Sequence, residues 1–531
     1  MRLLACLLAI LPCWAQTEQC SVEGQVFSLA TGEPVKKAQI MLRPMGSSSR
    51  QPYGALTDAG GRFLLADVPA GRYVLTAERA GFVQSEYGAG GVSRRGGTIT
   101  LAPGQRLKDV VFRLTPHGVV TGRVLDEDGE PVAGVQVQAM RYGYIQGRRM
   151  LRPAASSTTN DIGEYRLAGL PPGRFYLSAT YRAAAMFGGG GSADQYAPTY
   201  YPGTADPAAA APVQVVQGNQ LRGMDFALTR TRTVRVSGRV SNPDATGGSR
   251  NVMVFLMPRG GGMGGYSSRN SSVVQEGRFE IAGVTPGAYT IAAHWYEEGQ
   301  RYTASQPIDV GNAGVDDVNL TLAPGFELSG RVRIEGAAEA PLGDARVSLR
   351  PANELALAPP MGGRVQPDGS FQLNAVAPDH YRVMVFGMPE SCYLKSARLG
   401  DSEMLENGAT VNAGAGRLEI VLSSAGGLVE GLALDEKQQP VPGAVVVLVP
   451  DERRRDRLEL FKNVNADQHG RFTIQGIAPG DYRLFAWQDV DSGAWQDPEF
   501  LKPFERSAAT VSLKENGRET VQLKVLASQE R

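Results

Sequence analysis

The chain has 531 residues, which is too long for one hydrophobic core and predicts about three to five domains. Its 54 basic and 54 acidic residues give a formal net charge of +0, and no basic run is long enough to follow a phosphate backbone. The charge balance therefore argues against nucleic acid and against anionic membrane surfaces as partners.

The N-terminus has the pattern of a secretory signal peptide. Arg2 precedes an apolar run, and the small-x-small site Cys13-Trp14-Ala15 follows it. We predict a signal peptide at residues 1–15 and a mature chain outside the cytoplasm, secreted or periplasmic. The apolar run is too short to span a bilayer, and no later run reaches membrane-spanning length.

One segment of nineteen residues occurs five times along the chain. The copies begin at Gly61, Gly163, Gly277, Gly369 and Gly470, and the last one is GRFTIQGIAPGDYRLFAWQ. Each copy belongs to a longer unit that opens with a strand carrying one glycine, such as VTGRV or VSGRV. These units follow one another at intervals of roughly 100 residues, the size of a small β-sandwich.

The spacing predicts five modules. They are residues 20–116 (module 1), 117–231 (module 2), 232–325 (module 3), 326–424 (module 4) and 425–531 (module 5). Within each module, alternating apolar residues predict strands with one inward face, and Asp/Gly pairs predict the hairpin turns between them. About seven strands per module and no convincing helical period predict an all-β fold.

The repeated segment is a packing pattern. In the last copy the inward positions are Phe472, Ile474, Tyr482, Leu484 and Ala486. Aromatic and aliphatic residues recur there in every copy, and the outward positions vary freely. Cys20 and Cys392 lie in different modules of the predicted string, so we expect independent buried or free thiols and no disulfide between them.

The shared pattern sGrV…G.pv.gv.V.l…dG.F.i.gl.PG.Y.l.a resembles the carboxypeptidase regulatory-like domain. The resemblance covers nearly all of the mature chain and implies tandem seven-stranded Greek-key β-sandwiches of the transthyretin-like, carbohydrate-binding-like type. Such modules accompany peptidases, transporters and adhesins, so the motif says little about function. Module 4 departs from it at Pro378-Asp379-His380, and module 2 contains a large insertion.

Motifs for catalysis or metal binding are weak. His294 and Glu297 fit H-x-x-E, but residues three apart in a strand point to opposite faces, and no third ligand is evident. The acidic run Asp126-Glu127-Asp128 lacks the terminal glutamate of a calcium loop and indicates a hairpin turn. No serine-hydrolase elbow is present. We predict no enzyme, no metal and no cofactor.

Aromatic residues in the loops at the ends of the sandwiches are the candidate binding residues. They are Tyr196, Tyr200 and Tyr201 in module 2 and Trp495 in module 5. Such rings can stack on sugars or anchor a protein partner, whereas the alternative is that they fold back over the core.

The preferred function is a secreted, non-catalytic array that binds extracellular polysaccharide. The alternative is a scaffold or adhesin for a cell-surface protein, and an enzyme with a cryptic site ranks third. Tandem weak modules would add effective concentration and reach.

Overall fold

The computed structural model describes residues 19–45, 51–89, 96–145, 147–181, 194–196, 198–241, 252–259, 269–272, 277–297, 300–336, 342, 344–351 and 361–527. The predicted signal peptide lies outside these residues. Across the described ranges the chain is almost entirely β, as predicted, and the one α-helix is a single turn, α1 (Pro498–Leu501). None of the helices in these ranges is long and apolar enough to cross a membrane.

Module 1 is a sandwich of two sheets. Its strands are β1 (Cys20–Ser28), β2 (Gln39–Pro44), β3 (Tyr53–Leu56), β4 (Arg62–Val68), β5 (Gly71–Glu78), β6 (Ser85–Glu86), β7 (Thr98–Leu101) and β8 (Arg106–Leu114). One sheet has the order β4-β1-β8, and the other has the order β3-β2-β5-β6 with β7 paired to β5. Strand β1 runs antiparallel to β4 and parallel to β8.

Module 2 has the same plan with a longer hairpin. Its strands are β9 (Gly118–Leu125), β10 (Val135–Ile145), β11 (Arg148–Thr158), β12 (Glu164–Leu170), β13 (Gly173–Tyr181), β14 (Asp194–Tyr196), β15 (Thr199–Tyr200), β16 (Pro212–Val215), β17 (Gln220–Leu221), β18 (Phe226–Ala227) and β19 (Arg230–Arg232), with a 3-10 turn at Pro207–Ala209. The sheets are β11-β10-β13-β15 with β16 on β13, and β12-β9-β17 with β18 on β9. Strands β10 and β11 have 11 residues each, whereas β2 and β3 have 6 and 4.

Modules 3 and 4 are again two-sheet sandwiches. Module 3 contains β20 (Val234–Ser241), β21 (Met253–Pro258), β22 (Arg269–Ser272), β23 (Arg278–Val284), β24 (Gly287–Glu297), β25 (Gln300–Val310), β26 (Val315–Thr321) and β27 (Ala323–Pro324). Module 4 contains β28 (Phe326–Glu335), β29 (Arg346–Pro351), β30 (Met361–Arg364), β31 (Ser370–Val376), β32 (Asp379–Phe386), β33 (Tyr393–Leu399), β34 (Ser402–Glu403), β35 (Ala409–Val411) and β36 (Leu418–Ser423). The sheet orders are β23-β20-β26 and β22-β21-β24-β25-β27 in module 3, and β31-β28-β36-β33-β34 and β30-β29-β32-β35 in module 4.

Module 5 joins its strands into one continuous sheet. They are β37 (Gly427–Leu434), β38 (Val445–Pro450), β39 (Lys462–Asn465), β40 (Arg471–Ile477), β41 (Gly480–Trp487), β42 (Ala509–Leu513) and β43 (Arg518–Leu526). The order is β39-β38-β41-β43-β37-β40, with β42 on β41. Four 3-10 turns accompany α1, at Glu452–Arg454, Leu458–Leu460, Ala494–Gln496 and Lys502–Ser507. The segment from residue 494 to 507, here called the helical insert, covers the outer face of β38 and β41.

The repeated segment forms the cores. The predicted inward column after the second turn of each copy is at most 9% exposed in all five modules: Tyr73, Leu75, Ala77; Phe175, Leu177, Ala179; Tyr289, Ile291, Ala293; Tyr381, Val383, Val385; and Tyr482, Leu484, Ala486. Each buried cluster among the described residues lies within a single module. Cys20 and Cys392 are both buried free thiols. The modules therefore have separate cores.

The five modules do not form a simple string. Arg382 of module 4 donates to the carbonyl of Asp456 in module 5, which is the expected contact between neighbours. Module 5 also contacts module 2, where Arg141 pairs with Asp491, and module 1, where Gln468 bonds to Thr100. The chain thus folds back so that its last module contacts its first two.

Candidate functional site

The predicted tyrosines of module 2 mainly cover the core of that module. Tyr200 is only 5% exposed, and this burial raises the pKa of its hydroxyl. Tyr201 is half-buried, and its ring meets Phe226 edge-on at 5.9 Å between centroids. The YYPG segment therefore folds back over the end of the sandwich, which is the alternative that the sequence left open.

Tyr196 lies at the edge of module 2. Its ring is half-buried against the core, with Tyr181 edge-on at 5.8 Å and the guanidinium of Arg230 5.9 Å from its centroid. Arg230 also pairs with Glu127 at 2.5 Å. The guanidinium of Arg230 therefore partly covers one face of the Tyr196 ring.

Trp495 occupies a different place from the three tyrosines. It is 5% exposed and packs in a second cluster of module 5 with Phe485, Trp487 and Phe504. Phe485 and Trp487 stack at 5.1 Å with an angle of 15° between their planes. These outward rings of the sheet are thus covered by the helical insert of the same module.

A cleft of about 450 Å³ opens between module 2 and module 5 beside this cluster. The long β10–β11 hairpin lines it on one side, and β38, β39 and the loop before the helical insert line it on the other. Trp495 is the one predicted binding residue in its lining. Ligand sites commonly have volumes of about 300–1,000 Å³ and occur between domains, so the position of the cleft makes it a candidate site. A second cavity, of about 630 Å³, lies within module 2 beside β9, β11 and β12.

Aromatic side chains support the module 2 wall of this cleft. Tyr142 meets Tyr176 edge-on at 5.3 Å, and the guanidinium of Arg149 lies 4.0 Å from the Tyr142 centroid. Tyr144 meets Phe500 of the helical insert at 5.9 Å. The contact of Tyr144 with Phe500 therefore joins the hairpin to module 5, whereas the contacts of Tyr142 lie within module 2.

Polar groups of both signs line the cleft. Arg141 and Asp491 form an ion pair of 3.3 Å across the two modules, with side chains 38% and 50% exposed. Arg152 adds a guanidinium, Asn463 an amide and Asp489 a carboxylate. Two cations and two anions leave the lining without a net charge. It suits a ligand with many hydroxyl groups better than a strongly charged one, because amides, guanidinium groups and carboxylates can donate to or accept from hydroxyls.

The residues considered for metal binding have other roles. His294 lies half-buried in β24, where its Nδ1 is 3.3 Å from Arg301, and burial first and this cation second lower its pKa to about 4. Glu297, at the end of the same strand, is exposed. Asp126 Oδ1 accepts from the backbone N–H groups of Asp128 and Glu130 at 2.9 Å each, as in a hairpin turn. No group of three potential metal ligands occurs in the described part of the chain.

Sequence reasoning missed most of the cleft. Arg141, Tyr142, Tyr144 and Arg152 lie on the long β10–β11 hairpin, which the sequence analysis does not single out. One pattern in the sequence points to this hairpin. Alternation of side-chain character continues past the part of β10 that enters the core, which predicts a hairpin that extends beyond the sandwich. The partner across the cleft could not be found from the sequence, since modules 2 and 5 are not neighbours along the chain.

One comparison with known proteins gives a family for the first two modules. The model of the carboxypeptidase regulatory-like domain matches residues 21–115 and 119–229. No curated protein matches the chain.

Several solved pilins resemble the chain weakly. The minor pilin GBS52 of Streptococcus agalactiae is 13% identical over 40% of this chain and 96% of its own, with a TM-score of 0.24. The shaft pilin SpaA of Lactobacillus rhamnosus GG is 10% identical over 41% and 98%, with a TM-score of 0.19. The major pilin subunit BcpA of Bacillus cereus is 10% identical over 77% and 99%, with a TM-score of 0.15. Scores this low carry no functional argument.

The matched ranges coincide with the sandwiches β1–β8 and β9–β18, each with its own core. The shared motif of the repeats, the sheet order and the family match therefore lead to one assignment. The chain contains tandem carboxypeptidase regulatory-like domains, at residues 21–115 and 119–229.

Proposed function

We propose that the protein is an extracytoplasmic, non-catalytic saccharide-binding protein whose site is the cleft between modules 2 and 5. The single observation that carries the proposal is the polar lining of that cleft, a charge-balanced set of guanidinium, amide and carboxylate groups between two modules. Such polar groups suit the hydroxyl groups of a sugar.

Binding without catalysis is proposed because one of the two cleft carboxylates, that of Asp491, is engaged with Arg141. Acid–base chemistry on a glycosidic bond requires two carboxyl groups that flank the bond and hold different protonation states. An ion-paired aspartate instead orients a hydroxyl group. Incubation of the protein with any bound oligosaccharide, followed by chromatography, should return the oligosaccharide uncleaved.

The proposal is tested on an array of neutral and acidic oligosaccharides. We expect neutral oligosaccharides to bind, and Arg152→Ala to weaken that binding at least tenfold, because Arg152 is an exposed lining residue. Arg174→Ala is the matched control, since Arg174 is an exposed arginine of module 2 outside the cleft. Absence of binding to every oligosaccharide, or equal loss in both variants, would contradict the proposal.

A second candidate, docking of a cell-surface protein, is favoured by a specific feature of module 1. Leu56 on β3 and Leu64 on β4 are 67% and 57% exposed, and both strands are edges of their sheets. Large apolar side chains on sheet edges suit a protein partner. Capture of one surface protein by the wild-type chain, and its loss in a Leu56→Lys/Leu64→Lys variant, would favour this candidate.

A further inference from the structure

Module 5 docks on module 1 through a surface that adjoins its contact with module 2 at Asn465. We infer that this contact is a clasp that closes the five-module chain, and that the cleft is complete only while the clasp is closed. The closure does not depend on what the cleft binds. The role of the cleft as a saccharide site rests on the proposed function.

The first part of the clasp is a side chain that imitates strand pairing. The Oε1 atom of Gln468 accepts from the backbone N–H of Thr100 at 3.2 Å, and its Nε2 atom donates to the carbonyl of the same residue at 3.0 Å. Thr100 belongs to β7, which pairs with β5 on its other side. An edge strand leaves such backbone groups open to a partner, and here module 5 supplies that partner.

The second part is a direct contact between glycine backbones. A Cβ atom on Gly97 would lie 2.7 Å from the carbonyl oxygen of Ala466 and 3.2 Å from the backbone nitrogen of Gly443. Conversely, a Cβ atom on Gly443 would lie 1.9 Å from the carbonyl oxygen of Gly88. The two modules approach so closely because neither presents a side chain at this point.

The clasp and the cleft share one residue. Asn465, at the end of β39, donates its side-chain Nδ2 to the carbonyl of Gly96 at 2.6 Å and also lines the cleft. The loop that carries Gln468 follows directly after it. Movement of module 5 away from module 1 would therefore displace one wall of the cleft.

The clasp is a surface contact that can open without unfolding either module. Its observed bonds are polar and join side-chain amides to backbone, and the buried clusters of modules 1 and 5 remain separate. Contacts of this kind between domains are typical of interfaces that permit relative motion. The linker through modules 2, 3 and 4 keeps the two ends together after opening, so the contact can form again.

The inference is tested with a wedge in module 1. Gly97→Leu places a side chain where the nearest atoms all belong to module 5, so it should push the modules apart and leave module 1 folded. Gly54→Leu is the matched control in the same module, since the nearest atom to its Cβ would be 3.8 Å away and Gly54 is exposed. Small-angle X-ray scattering of the full chain without saccharide is the measurement.

We expect the Gly97→Leu chain to have a larger radius of gyration and maximum dimension than the wild type, and the Gly54→Leu chain to match the wild type. Circular dichroism should be the same for all three chains. Identical scattering by the wedge variant and the control would overturn the clasp. Gln468→Ala, which removes the two bonds to Thr100, should also increase the radius of gyration, but by less than Gly97→Leu. Its matched control is Gln439→Ala at an exposed glutamine, which should leave the radius of gyration unchanged.

The link between clasp and cleft has its own measurement. Hydrogen exchange of peptides covering residues 141–145 and 489–496 reports on the two cleft walls without any ligand. We expect faster exchange of both segments in Gly97→Leu alone. A larger radius of gyration with unchanged exchange of these two segments would overturn the link between clasp and cleft. A failure of the wild type to bind saccharide would affect neither the scattering result nor the exchange result.

Discussion

The glycine in the first strand of each module is expected to be irreplaceable for a steric reason. A Cβ atom on Gly24 of β1 would lie 2.0 Å from the carbonyl oxygen of Val110 on β8, the parallel neighbour. The corresponding distances are 2.2 Å from the oxygen of Met224 for Gly122, 2.0 Å from that of Val318 for Gly238, 2.4 Å from that of Leu418 for Gly330, and 1.9 Å from that of Val521 for Gly431. The same close approach therefore recurs in all five modules.

The expected loss of stability in Gly24→Ala follows from the kind of atom that the new Cβ would meet. A contact of 2.0 Å with a backbone oxygen cannot be relieved by rotating a side chain, so β1 and β8 must separate. Overpacking of this kind typically costs about 1–3 kcal/mol, and a backbone obstacle places the expected cost at about 3 kcal/mol. For Gly54→Ala the nearest atom is 3.8 Å away, and alanine in a strand is favoured over glycine by roughly 0.5–1 kcal/mol.

Hydrogen exchange of the full chain, followed by mass spectrometry, separates these two outcomes. Peptides covering β1 and β8 should exchange about a hundredfold faster in Gly24→Ala, because a loss of about 3 kcal/mol in local stability changes the open population by that order. In Gly54→Ala they should exchange no faster than in the wild type. Equal exchange of β1 and β8 in the two variants would refute the steric argument.

Three further changes test other parts of the structure. Tyr381→Phe removes a buried hydroxyl that donates to the carbonyl of Ala377 at 2.9 Å, so chemical denaturation of module 4 should show a loss of about 1 kcal/mol. His294 has its pKa lowered to about 4 from 6.5, so the folded state resists protonation and module 3 should lose stability as pH falls from about 6.5 to about 4; melting curves of His294→Gln should lack this dependence. Trp495→Ala should cost about 3–5 kcal/mol and release the helical insert, which tryptophan fluorescence of Trp487 would detect, whereas an unchanged melt would contradict its place in the buried cluster.

The cores were predictable from the sequence because their cause is local. Alternation of apolar residues at period two determines which face of a strand is buried, so Tyr482, Leu484 and Ala486 could be placed inward by their spacing alone. The hairpin turns were predictable for the same reason. Asp467 Oδ1 accepts from the backbone N–H groups of His469 and Arg471 at 2.8 Å each, an arrangement that requires only the local residues.

The site was less predictable because its causes are not local. An exposed and a buried aromatic ring look alike in a sequence, and Tyr200 and Trp495 are both 5% exposed in the folded chain. Their burial depends on segments that fold back over a sandwich end or an outer sheet face. The cleft depends further on the angle between modules 2 and 5, which the repeat pattern does not encode.

The differences between the modules locate the candidate function better than their similarities do. The inward side chains of the repeated segment are buried in every copy, so they are not available to bind a ligand. The long hairpin of module 2 and the helical insert of module 5 are two such differences, and they meet through Tyr144 and Phe500. The cleft lies where these two elements meet, so the candidate site exists only because the chain folds back and brings module 5 against module 2.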